Sequence, residues 1–113
     1  MEQKKYSNFI FSEPKIKKVN KNLIIINFDS YQVIDNYHHA LDLENLRKRY
    51  INFFSKFDYI LGDMSGEQLR LTGFYDYEGK KGEKNIATCA DFLAEFGTFD
   101  CPYFLLKKLK STK

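Results

Sequence analysis

The run from Asp58 to Phe74, DYILGDMSGEQLRLTGF, sets the strongest constraint on what this chain can become. Asp58 to Leu61 is short, aromatic and aliphatic, while Leu69 and Leu71 alternate with Gln68, Arg70 and Thr72, the period of a half-buried strand. Between the two pieces lie Gly62, Asp63, Ser65 and Gly66, which are turn residues: glycine accepts positive φ without steric cost, and Asp or Ser bonds its own backbone. A hairpin follows. Closed around residues 64–67, it brings Asp63 near Arg70 across the strands, with Arg70 on the face opposite Leu69 and Leu71. The plain reading of that pair is a salt bridge at a turn, worth about 0.2–1 kcal/mol when exposed. The functional reading is an anion or partner site with Arg70 as a donor fork.

Length and composition allow such a hairpin a core. The 113 residues fit one domain, and an aromatic content of 17% offsets the 29% of charged residues, which excludes a disordered chain. No apolar stretch reaches the roughly 18–20 residues of a membrane span, and MEQKKYSNFIF lacks the apolar core and cleavage site of a secretory signal. The expected setting is the cytoplasm, with no membrane partner. Cys89 and Cys101 have no CxxC spacing and read as buried free thiols; with His38 and His39 adjacent in a loop, they make no metal-ligand pattern, and no metal or cofactor is expected.

Charge is unevenly spread. Residues 1–22 hold six lysines against Glu2 and Glu13, net +4; residues 103–113 hold Lys107, Lys108, Lys110 and Lys113, also net +4; the stretch between is net −5. Basic ends on an acidic body suit either solvated tails or contacts to phosphate backbones, whose neutralisation releases counterions.

The remaining elements follow from pattern. Residues 1–20 read as a basic extension, partly ordered at most, with a short strand near Phe9–Phe11; residues 21–109 form the domain and 110–113 a basic tail. Leu23–Phe28 and Tyr31–Ile34 form a first hairpin turning at Asp29-Ser30. Leu43, Leu46, Tyr50, Ile51, Phe54 and Phe57 recur at helical spacing behind an Asp42 N-cap, predicting a helix over 42–56. DYEGKKGEKN, residues 76–85, is a polar loop; Thr88 and Asp91 form a capping-box pattern for a helix over 88–96 that Gly97 stops, and Tyr103–Leu106 supplies a last strand. The expected fold is α+β: a mixed or antiparallel sheet built from hairpins, with two helices packed on one side.

With these elements in order, the chain resembles the YutD-like family of small proteins from Gram-positive bacteria and their relatives. The resemblance is carried by Phe57 to Asp63, Gln68 to Leu71, Gly73-Phe74, Phe92-Leu93, Glu95-Phe96, Phe99, Cys101 and Tyr103-Phe104, and covers roughly residues 23–109. Where that family places a tryptophan after the Gly-Asp pair this chain has Met64, and where it has a second cysteine this chain has Gly97. The resemblance implies an α+β fold, a bacterial cytoplasmic setting and a regulatory label, and names no reaction.

Three function classes fit the residues. The favoured one is a noncatalytic cytoplasmic binding or regulatory module that acts through a protein partner, with Asp63, Gly66, Glu67, Arg70 and Tyr75 as candidate binding residues. The second is a nucleic-acid or ribosome-associated accessory factor using basic termini, Lys15, Lys17, Lys18, Lys107, Lys108 and Lys110, although no helix-turn-helix, RRM or KH pattern accompanies them. The third is a small enzyme using the carboxylates Asp58, Asp63, Glu67 and Asp76 near the hairpin as acid, base or cation ligands. No glycine-rich phosphate loop or nucleophile elbow supports it.

Overall fold

A computed structural model describes residues 13–76, 85–96 and 100–110. The short strand expected near residues 9–11, most of the polar loop after Asp76 and the helix stop at Gly97 lie outside these residues.

Among the described residues six strands make one sheet: β1 (Ile16–Asn20), β2 (Leu23–Ile26), β3 (Asp29–Tyr37), β4 (Tyr59–Ser65), β5 (Gln68–Phe74) and β6 (Tyr103–Lys108). Their order across the sheet is β1-β2-β3-β6-β4-β5, and every neighbouring pair is antiparallel. The last strand thus joins two hairpin units, pairing Val33 with Leu106 on one side and Ile60 with Leu106 on the other. Residues 16–20, assigned from sequence to the N-terminal extension, form β1, the edge of the sheet among the described residues. The first hairpin turns at Asn27-Phe28 rather than at Asp29-Ser30. Asn27 takes the left-handed conformation (φ 57°) that asparagine tolerates, and its side chain accepts a bond from the Lys15 amide at 3.0 Å.

The helix α1 (Leu43–Arg49) opens as expected on Asp42, whose carboxylate accepts from the amides of Glu44 (2.9 Å) and Asn45 (3.4 Å). Glu44 in its first turn and Arg47, Lys48 and Arg49 in its last complement the helix dipole. It does not run to residue 56. Tyr50 and Ile51 are extended, and a 3-10 turn over Asn52–Lys56 follows. The break lets Leu46 and Tyr50 stay over the sheet centre while Phe57 folds back onto Gly73, where a Cβ would collide with its ring. The helix α2 (Cys89–Phe96) follows a 3-10 turn, Ile86–Thr88, capped by the Asn85 side chain and not by Thr88. The Thr88 hydroxyl instead donates back to the Asn85 carbonyl at 2.7 Å.

The α+β class is the one expected, but the helices do not share one side. Leu46 and Tyr50 pack with Ile24, Ile26, Tyr31, Ile60, Phe104 and Leu106, whereas Cys89, Phe92 and Leu93 pack with Leu61, Phe74, Tyr103 and Leu105. These sets take alternate residues of β4 and β6, so they lie on opposite faces. The physical reason is visible in Ile60-Leu61 and Leu105-Leu106: both faces of the inner strands are apolar, and each needs a cover.

Candidate functional site

The β4–β5 hairpin closes with Ser65 opposite Gln68, leaving Gly66-Glu67 as a two-residue turn. Gly66 has φ 68° and Glu67 does not, the pattern of a type II′ turn, whose twist suits a hairpin. Asp63 then falls opposite Arg70 in the ladder. The guanidinium grips the carboxylate with two bonds, Nε to Oδ1 at 3.0 Å and Nη2 to Oδ2 at 2.5 Å. Asp63 is 0% exposed, and the Arg70 guanidinium carbon lies 5.3 Å from the centre of the Phe92 ring of α2. The hydrogen bonds to Asp63 raise the Arg70 pKa above its already high value. The pair read from sequence as a salt bridge at a turn thus lies within the ladder, a clamp joining a buried carboxylate to a part-exposed guanidinium between sheet and α2.

Two further features flank the clamp. Among the described residues β5 pairs with β4 alone, so it is an open edge. A two-residue turn fixes the hydrogen-bonded pairs at Gln68, Arg70, Thr72 and Phe74, which turns the peptide groups of Leu69, Leu71 and Gly73 away from β4. Arg49 confirms the direction: its Nε donates to the outward carbonyl of Leu69 at 3.0 Å, and its Nη2 to the Gln68 side chain at 3.0 Å. Beside this edge runs a cleft of about 440 Å³ floored by Ile51, Phe54, Leu69 and Leu71 and flanked by Arg49 and Arg70. Arg49 was not among the residues singled out from sequence; its place in the last turn of α1 was legible, its reach to β5 was not.

The remaining predicted residues separate. Glu67 is exposed in the turn, whereas Tyr75 lies past the other end of β5, its ring 4.8 Å from Phe57 and its backbone bridged to Asn85. Asp58 accepts a bond from the Asp76 amide at 2.8 Å. Among the described residues, no three His, Cys, Asp or Glu side chains are placed to hold a metal ion. Cys89 and Cys101 are free and buried, and burial pushes the Cys89 thiol up to about 11.

A second polar cluster forms where β3 ends. The Tyr37 hydroxyl donates to Asp100, His38 Nε2 lies 3.1 Å from the same carboxylate, and His38, His39 and Asp100 all have left-handed backbones. Both contacts hold the Asp100 carboxyl below the usual range. The adjacent histidines thus serve a sharp connection and an exposed carboxylate.

The lysines also separate. Lys17 and Lys18 lie on β1, Lys107 stands 6.0 Å from the Tyr59 ring, and Lys108 reaches the Ser55 carbonyl and Asp29. Lys15 and Lys110, from opposite ends of the chain, are exposed at one pole of the sheet: Lys15 exchanges bonds with Asn27, and the Leu109 amide beside Lys110 donates to Ser30.

Comparison with known proteins places this geometry. Residues 25–107 match the family described as "Putative antitoxin YutD-like". The chain belongs to the YutD-like family. It is 33% identical over 90 residues to a Bacillus subtilis (strain 168) protein named "Putative antitoxin YutD", a match covering 78% of this chain and 99% of that one. It also superposes on the solution NMR structure of protein yutD from B. subtilis with a TM-score of 0.69 and 30% identity, over 86% of this chain and 90% of that chain. The positions that carry the YutD-like resemblance are largely structural here: Gly62 admits the Phe104 ring, Gly73 admits Phe57, and Asp63 and Arg70 form the clamp. Met64, at the position where a tryptophan was expected of the family, packs against the cluster under α1, and its carbonyl lies 3.8 Å from the Cys101 sulfur. Among the described residues, no helix is long and apolar enough to cross a membrane.

Proposed function

We propose that the protein is a noncatalytic binding module that restrains a protein partner, the antitoxin role carried by the name of its Bacillus subtilis relative. The partner docks along β5. The observation that carries this reading is the outward peptide group of half-buried Leu71, next to a cleft with an apolar floor and two arginines. An extended partner segment adds main-chain hydrogen bonds there and seats an apolar side chain on Ile51 and Phe54, the β-augmentation mode of recognition. The clamp supports it by tying the edge strand to α2, so that the edge is ordered before binding. Two of the four carboxylates of the acid–base reading are already engaged, Asp63 by Arg70 and Asp58 by the Asp76 amide, and Glu67 stands apart in the exposed turn.

Leu71→Pro tests the proposal. It deletes one outward N–H and no bond to β4, a position where an edge strand tolerates proline. Leu71→Ala, which keeps the N–H and loses the side chain, is the control. Expected is loss of partner capture from the native cell by Leu71→Pro, retention of at least part of it by Leu71→Ala, and cooperative unfolding by both. Equal capture by wild type and Leu71→Pro rejects docking along β5.

A further inference from the structure

The pole of the sheet where the described chain enters and leaves carries one aromatic ring that packs on nothing, Phe28, and a second, Phe53, that packs edge-on against Phe54 and Phe57 and stays half exposed. Phe28, at the tip of the β2–β3 turn, is 100% exposed, and Phe53 on the 3-10 turn is 52% exposed. The two elements touch through the Asn27 and Asn52 side-chain amides at 3.5 Å. Around them stand Lys15, Lys56, Lys108 and Lys110, against Glu13 and Asp29. Asp29 lies 3.8 Å from Lys108, and the Lys56 ammonium sits 4.2 Å above the Phe53 ring. Burial explains Phe57 and Phe54 but not Phe28, which costs solubility without contributing to the core.

From this juxtaposition we infer that the pole is a binding surface for single-stranded nucleic acid. Lysines neutralise phosphates, and exposed aromatic faces stack on bases regardless of sequence. The amides of Asn27 and Asn52, each next in the chain to one of the rings and bonded to each other, keep N–H groups to spare for base edges, whereas a lipid surface pressed over the same rings would have to desolvate them. This surface is separate from the β5 edge, and its success or failure leaves that reading untouched.

The test is fluorescence anisotropy of a labelled oligothymidylate of about 15 nucleotides with the full-length protein, at about 50 mM salt and above. Expected is saturable binding that Phe28→Ala weakens about tenfold. Lys56→Gln with Lys110→Gln reduces the salt slope by about 1.4, since each single-strand phosphate contact contributes about 0.7. Phe28 has no buried surface to lose, so the variant keeps the wild-type melting temperature, measured on the same sample. Three results overturn the inference: no binding at the lowest salt; binding that Phe28→Ala leaves unchanged, which assigns it to lysines alone; and binding to phosphatidylserine vesicles without binding to the oligonucleotide.

Discussion

Asp63 and Arg70 face each other across the β4–β5 ladder, and the wholly buried carboxylate takes two hydrogen bonds from one guanidinium. A buried charge stripped of its partner is far costlier than a broken surface bridge. Arg70→Ala should therefore lose about 3 kcal/mol in urea unfolding, several times the expectation for an exposed pair. Arg70→Lys, which keeps a charge and loses the fork, should fall between the two. A loss below about 1 kcal/mol for Arg70→Ala would mean that water reaches Asp63 and that the clamp does not stiffen the edge.

At Gly62 and Gly73 an aromatic ring fills the space a Cβ would take, Phe104 at one and Phe57 at the other. A methyl group at either would sit inside the ring, and overpacking of this kind costs about 1–3 kcal/mol. Gly66 differs in kind: a Cβ there meets open space, and the cost comes from φ 68° alone, about 1 kcal/mol. Gly62→Ala should be rescued by Phe104→Leu, whereas no second-site truncation should rescue Gly66→Ala. Unfolding midpoints of the single and double variants decide it.

The sequence shows the hairpin and the nearness of Asp63 to Arg70 because strand period and turn chemistry are local properties of residues 58–74, but not its register: Gly62, Asp63 and Ser65 read as turn residues and instead extend β4 to a turn at Gly66-Glu67. The Asp42 cap is legible for the same reason. Depth is not: alternation places Arg70 opposite Leu69 and Leu71, yet only α2, arriving from residues 89–96, turns that face into interior and Asp63 into a buried charge. The break of the first helix at Tyr50-Ile51 is likewise tertiary, since an unbroken apolar stripe fits a longer helix until Phe57 is needed over Gly73. Arg49 on β5 and the convergence of Lys15 with Lys110 depend on strand order, which periodicity does not encode.

Tyr31 and Tyr50 bury their hydroxyls facing each other, close enough to interact but short of good hydrogen-bond geometry, and burial is the main cause of their raised pKa values. Two hydroxyls held dry with only a poorly formed bond between them oppose folding. The double variant Tyr31→Phe, Tyr50→Phe should match or exceed wild type in stability, by up to about 1 kcal/mol. A clear loss in the double variant, measured by chemical denaturation, would show that the two hydroxyls hold a partner.

Cys89 offers a test through pH. Burial, with smaller contributions from Asp35 and Asp63, pushes its thiol up to about 11 from an ordinary 9.0. Between these values the unfolded chain has released the proton and the folded chain has kept it. The unfolded state then binds fewer protons, and stability falls as pH rises. The contribution is complete below about pH 9 and fades up to about pH 11. Wild type should therefore lose more stability between pH 8 and pH 10.5 than Cys89→Ala, whose lower starting value reflects only lost packing. The buried Tyr31 and Tyr50 add to the alkaline loss in both proteins and cancel in the difference. Parallel pH dependences for the two would mean that the Cys89 sulfur meets solvent, and rapid reaction of the native thiol with Ellman's reagent would then accompany them.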